Sequence, residues 1–142
     1  MNSKLVVGVA AISLLLAAST AARADDDHRL DEAWKAAMED NEGLLTPEQM
    51  SGLNVLAYES AAARLCDGIK LDEKKYAASV TEVAKGGDAL TEDEQMQRLA
   101  AIVYKLGTAN GLFLAEGSAK KDAFCTEAMA QKADKDSKHN WE

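Results

Sequence analysis

Apolar residues recur at alternating intervals of three and four along much of this chain, and no stretch alternates with period two. That spacing gathers side chains on one face of an α-helix. A single proline among 142 residues leaves such helices uninterrupted. Abundant Ala, Glu, Lys and Leu favour helix as well. The expected fold is all-α: a compact bundle of four to five helices with one disulfide.

Five helical segments are predicted. The first covers 28–39 and gathers Leu30, Ala33, Trp34, Ala37 and Met38 on one face. The second starts at Thr46, with Pro47 at its first position and Gln49 completing a capping box. Its stripe is Val55, Tyr58, Ala62, Leu65 and Ile69, and Ala61–Ala63 admit a close neighbour. The third covers 73–85, capped by Asp72, with Tyr76, Val80, Val83 and Ala84 inward and Gly86-Gly87 as its stop. The fourth starts at Thr91, with Glu94 in capping-box position. Its stripe is Met96, Leu99, Val103, Leu106, Asn110 and Phe113, which makes Val103 a core residue. Gly107 and Gly111 share a face there, and close packing or a kink accounts for them. The fifth covers 119–132 behind a Ser118 cap, with Phe124, Cys125 and Ala128 inward. Short connections favour antiparallel neighbours.

The amino terminus reads differently. Lys4 is followed by an apolar run from Leu5 to Ala18, too short for a membrane span of about 20 residues. Ala22-Arg23-Ala24 supplies small residues for a cleavage site. The expected organisation is a signal peptide over 1–24, a helical domain over 25–132 and a polar C-terminal tail over 133–142. That tail is expected to fray, with Trp141 as a residue that folds back. Location is then periplasmic or secreted, with no stable membrane insertion after cleavage. Removing the leader takes away Lys4 and Arg23 and no acid, so the formal charge falls from −8 to −10. An acid surplus of that size repels nucleic acid and anionic lipid.

Cys66 and Cys125 are the only cysteines. An even count in a small exported domain reads as one disulfide. In the chain-entropy view it stabilises the fold by about 4 kcal/mol. Catalytic groups are scarce. His28 and His139 lie near the ends of the patterned region, no phosphate-cradling loop is present, and no enzyme activity or cofactor is expected. The run Asp25-Asp26-Asp27-His28 has metal-ligand chemistry. Its simpler reading is a solvated acidic start, favourable at a helix N-terminus, so no metal site is assigned.

Leu45-Thr46-Pro47-Glu48-Gln49 resembles the Leu-Thr-x-x-Gln motif of Spy-type periplasmic chaperones. Leu90-Thr91-Glu92-Asp93-Glu94-Gln95 nearly repeats it, one residue longer. The plan of a leader, a small helical domain and a Cys66–Cys125 bridge is similar to HdeA-type acid-stress chaperones. These resemblances imply a helical exported protein that binds unfolded clients. The leading expectation is a non-catalytic periplasmic protein that binds a protein partner or unfolded clients as a stress chaperone. The alternatives are a specific inhibitor or immunity-like partner of an envelope enzyme, and a metal-handling protein.

Overall fold

Two capping boxes fix where the long helices begin. Thr46 Oγ1 accepts from Gln49 N while Gln49 Oε1 accepts from Thr46 N. Thr91 and Glu94 repeat the arrangement. Each box satisfies two backbone donors that a helix start leaves open. The computed structural model describes residues 24–39, 43–85 and 90–142. The leader expected over 1–24 lies outside them apart from Ala24, as does the Gly86-Gly87 stop.

The elements are α1 Ala24–Met38, α2 Pro47–Leu65, α3 Glu73–Ala84, α4 Glu92–Ala119 and α5 Lys121–Ala133. The fold is an all-α helical bundle. α2 is its centre: Leu53, Leu56, Ala57, Ala61 and Ala62 are all buried. Consecutive α2 and α3 run antiparallel. Tyr76 Oη donates to Leu56 O near the start of α3, and Gln49 Nε2 donates to Val83 O near its end. α4, by contrast, lies parallel to α2. Leu53 packs with Ala101 and Ile102, Asn110 Nδ2 donates to Ala57 O, and Gly117 meets Leu65. The return helix α3 makes that parallel pairing possible.

Two glycines permit this packing. A Cβ at Gly117 would stand 2.5 Å from Leu65 Cδ1, and one at Gly52 would stand 2.7 Å from Val83 Cγ2. Gly107 and Gly111 do not have this role, because a Cβ on either would meet nothing within 4 Å. The expected start of the last helix also shifts. Gly117 and Ser118 continue α4, and the break falls at Lys120, whose φ of −130° and ψ of 46° leave the helical region.

Cys66 and Cys125 are bonded, with their Cα atoms 5.3 Å apart, and the bridge joins the end of α2 to α5. It lies in a core of Ala62, Cys66, Ile69, Ala128 and Trp141. Within the C-terminal segment, polar enough to predict fraying, residues 140–142 are docked, while 133–136 and 138 are exposed. Leu71 and Trp141 form an isolated antiparallel bridge. Asp72 N donates to Asn140 O, and Glu142 N to Lys70 O. Asn140 donates through N and Nδ2 to the two carboxylate oxygens of buried Glu59, and Trp141 Nε1 donates to Glu59 O. Trp141 does fold back, and it is 1% exposed. A buried carboxylate needs such donors, and Asn140 supplies them.

Candidate interaction surface

The stripe from Met96 to Phe113 does not stay on one side of α4. Intervals of three and four average fewer than 3.6 residues per turn, so on a straight helix the stripe winds around the axis. Its late members, Leu106 and Phe113, reach the packed side: Leu106 lies against the Leu53–Ile102 cluster and Phe113 against Trp34 and Tyr58. Its early members face out. Met96 is 70%, Leu99 56% and Val103 63% exposed, with Tyr104 beside them at 61%. The expectation that Val103 is core is therefore corrected. The buried side of α4 consists of Ala101, Ile102, Lys105, Ala109 and Gly117.

The outer face lacks charge. Between Gln95 and Ala115 the only charged residues are Arg98, which is half-buried, and Lys105, which is buried. This stretch is about 30 Å long in a chain with 28% charged residues. Isolated exposed apolar side chains are ordinary, whereas a contiguous apolar patch marks an interaction surface. Gly107 and Gly111 lie exposed on the same face. Each costs the helix about 1 kcal/mol relative to Ala, and no contact inside the described protein requires either. α4 presents this face as a firm edge, since Lys105 anchors it to α1 and Asn110 to α2.

A cleft of about 340 Å³ opens where α2, α4 and α5 meet, lined by Tyr58, Phe113 and Phe124 with Glu116, Lys120, Glu127 and Gln131 around it. Burial, with the Glu127 carboxylate adding to it, pushes the Tyr58 hydroxyl up to about 12. The Tyr58 hydroxyl is sealed from solvent and has no hydrogen-bond partner among the described residues. The aromatic rings meet one another edge-on.

The remaining sequence candidates do not converge. Cys66 and Cys125 form the bridge and offer no thiol. His139 stacks on Trp141, and its Nδ1 accepts from Trp141 N. The Asp25–His28 run lies in the first turns of α1, and its side chains are outside the described residues. Among the described residues no three His, Cys, Asp or Glu side chains are placed to hold a metal ion. No helix among them is long and apolar enough to cross a membrane. Pattern alone misses Glu59 and Lys105 because both are charged and both are buried. It misses the outer face of α4 too, although the run without charge from Leu99 to Tyr104 is a usable signal.

No protein family, no curated protein and no solved structure matches this chain.

Proposed function

We propose that this is a non-catalytic, exported helical protein that binds other polypeptides on the outer face of α4, in the manner of a stress chaperone. The observation that carries the reading is the exposed, uncharged surface of Met96, Leu99, Val103 and Tyr104 on an otherwise charge-rich chain. Such a surface binds apolar segments with little demand on their sequence. The acidic remainder keeps the complex soluble. Export rests on the Leu5–Ala18 run and the Ala22-Arg23-Ala24 site, and the Cys66–Cys125 bond fits an oxidising compartment.

The test mixes the purified protein with an acid-sensitive client at neutral pH and at about pH 3, below the ordinary carboxylate range, and follows light scattering. Suppressed aggregation that disappears in Leu99→Ser and Val103→Ser supports the reading, provided both variants keep the helical spectrum. Absence of protection at either pH, with one stoichiometric partner captured from envelope extract, gives the inhibitor-like alternative instead.

A further inference from the structure

We infer that the cleft between α2, α4 and α5 is a binding site for a small organic cation carrying an alkylated ammonium group, such as a trimethylammonium head. The site lies apart from the outer face of α4 and does not rest on the reading above.

The chain has two phenylalanines, Phe113 and Phe124, and each is followed three residues later by a glutamate. Residues three apart on a helix share a face. Phe113 and Glu116 therefore form one pair near the end of α4, and Phe124 and Glu127 form another on α5. The break at Lys120 joins the two helices, and both pairs line the one cleft of about 340 Å³. That volume falls within the roughly 300–1,000 Å³ of small-molecule sites. Tyr58 on α2 supplies a third ring. Its centroid lies 5.4 Å from Phe113 and 5.2 Å from Phe124, at interplanar angles of 72° and 61°. Rings so inclined wall a concave corner rather than a flat surface.

The corner favours one kind of guest. Ring faces attract a cation within about 6 Å of their centroids. Glu116 and Glu127 add two carboxylates and Lys120 offsets one, so the lining side chains carry a net −1. After burial, the Glu127 carboxylate is what raises the Tyr58 hydroxyl, so its charge bears on the aromatic corner. An anion meets two carboxylates and gains nothing from the rings. A metal ion or a bare ammonium holds its water tightly, and the phenyl rings offer no oxygen ligand in exchange. An alkylated ammonium gives up little hydration, and its methyl groups pack on the rings while its charge is attracted to their faces. The acid surplus of the chain concentrates cations of every kind at the surface, and the rings select among them.

Choline is the probe, titrated into the purified protein at about 0.15 M salt and followed by amide chemical shifts. The expected result is saturable binding of one choline per chain, half complete below about 1 mM, with the shifts gathered between Phe113 and Gln131. The uncharged isostere, with carbon in place of the nitrogen, should bind at least about tenfold more weakly. Glu127→Gln should weaken choline about threefold, and Glu116→Gln/Glu127→Gln about tenfold, with an unchanged helical spectrum. Phe124→Leu keeps an apolar side chain and should also cost about tenfold. Phosphatidylcholine vesicles form a second arm: co-sedimentation assigns the site to a lipid headgroup, and choline binding without it assigns a free solute. No saturation by about 10 mM, equal binding of choline and its isostere, or full affinity in the double glutamine variant overturns the proposal.

Discussion

The ammonium group of Lys105 on α4 lies 2.6 Å from the carbonyl oxygen of Ala37 and closes the C-terminus of α1. It also donates to Glu39 O. The last carbonyls of a helix lack partners within it and carry partial negative charge, so a cation there both satisfies and attracts them. Lys105 is 4% exposed. Lys105→Met keeps most of the buried stem and removes the donors. The expected loss is about 1–3 kcal/mol, concentrated in α1. Hydrogen exchange should quicken in α1 while the amides of Leu53–Ala62 stay protected.

The two sides of α4 should respond oppositely to the same change. Ile102→Asp places a carboxylate in the Leu53–Ala101 cluster, where Ile102 is 3% exposed, and should abolish cooperative melting. Val103→Asp, one position further, should move stability by no more than about 0.5 kcal/mol. Paired thermal melts check this. A collapse of the Val103 variant would return that residue to the core.

Breaking the disulfide should cost about 4 kcal/mol whichever partner is removed, since the bridge constrains one loop with a sequence separation of 59. Cys66→Ser and Cys125→Ser should therefore lower the melting temperature equally. Reductant should do the same to the parent and nothing to either variant.

Acid should loosen particular helix starts. Backbone hydrogen bonds to the Asp72 carboxylate hold its pKa below the ordinary value, chiefly from Lys75 N. The bond from Thr91 N does the same for Glu94. A carboxylate with a depressed folded pKa stabilises above its unfolded pKa, near 4 here, and loses that contribution as pH falls through the folded value. Below about pH 4 the first turns of α3 and α4 should fray ahead of the core. Asp72→Asn and Glu94→Gln should flatten the acid limb of stability against pH, as measured by urea midpoints.

Burial acts on Tyr58 in the other direction. Its folded pKa is raised to about 12 from an ordinary 10. Its stabilising contribution is whole below about pH 10 and is lost as pH rises through the folded value. Alkaline melts of Tyr58→Phe should lack that decline.

The helices are legible in the sequence because their signals are local. Thr46 with Gln49, Thr91 with Glu94, and Asp72 each mark a start, and the Leu30–Met38 pattern sits on a packed face. Cys66 and Cys125 are legible from their number alone. What cannot be read locally is which of two apolar faces on α4 goes inward. Ala101, Ala109 and Gly117 bury little area each, and Lys105 scores as polar, so the buried side looks less hydrophobic than the exposed one. Small residues there answer to the approach of α2, a long-range fact. Asn140 and Trp141 mislead in the same way: their docking depends on Glu59, which no local pattern connects to Asn140.

The Glu59–Trp141 contact also orders events in time. A chain is made, and threaded through any export channel, from its amino end. Glu59 precedes Trp141 by 82 residues, which at about 5–20 residues per second is roughly 4–16 seconds of synthesis. During that interval the carboxylate has neither the Asn140 donors nor the Trp141 ring beside it. Cys66 waits similarly for Cys125. The Leu53–Ile102 cluster needs no residue beyond α4, so the core around Glu59 and the bridge is the part of the bundle that closes last.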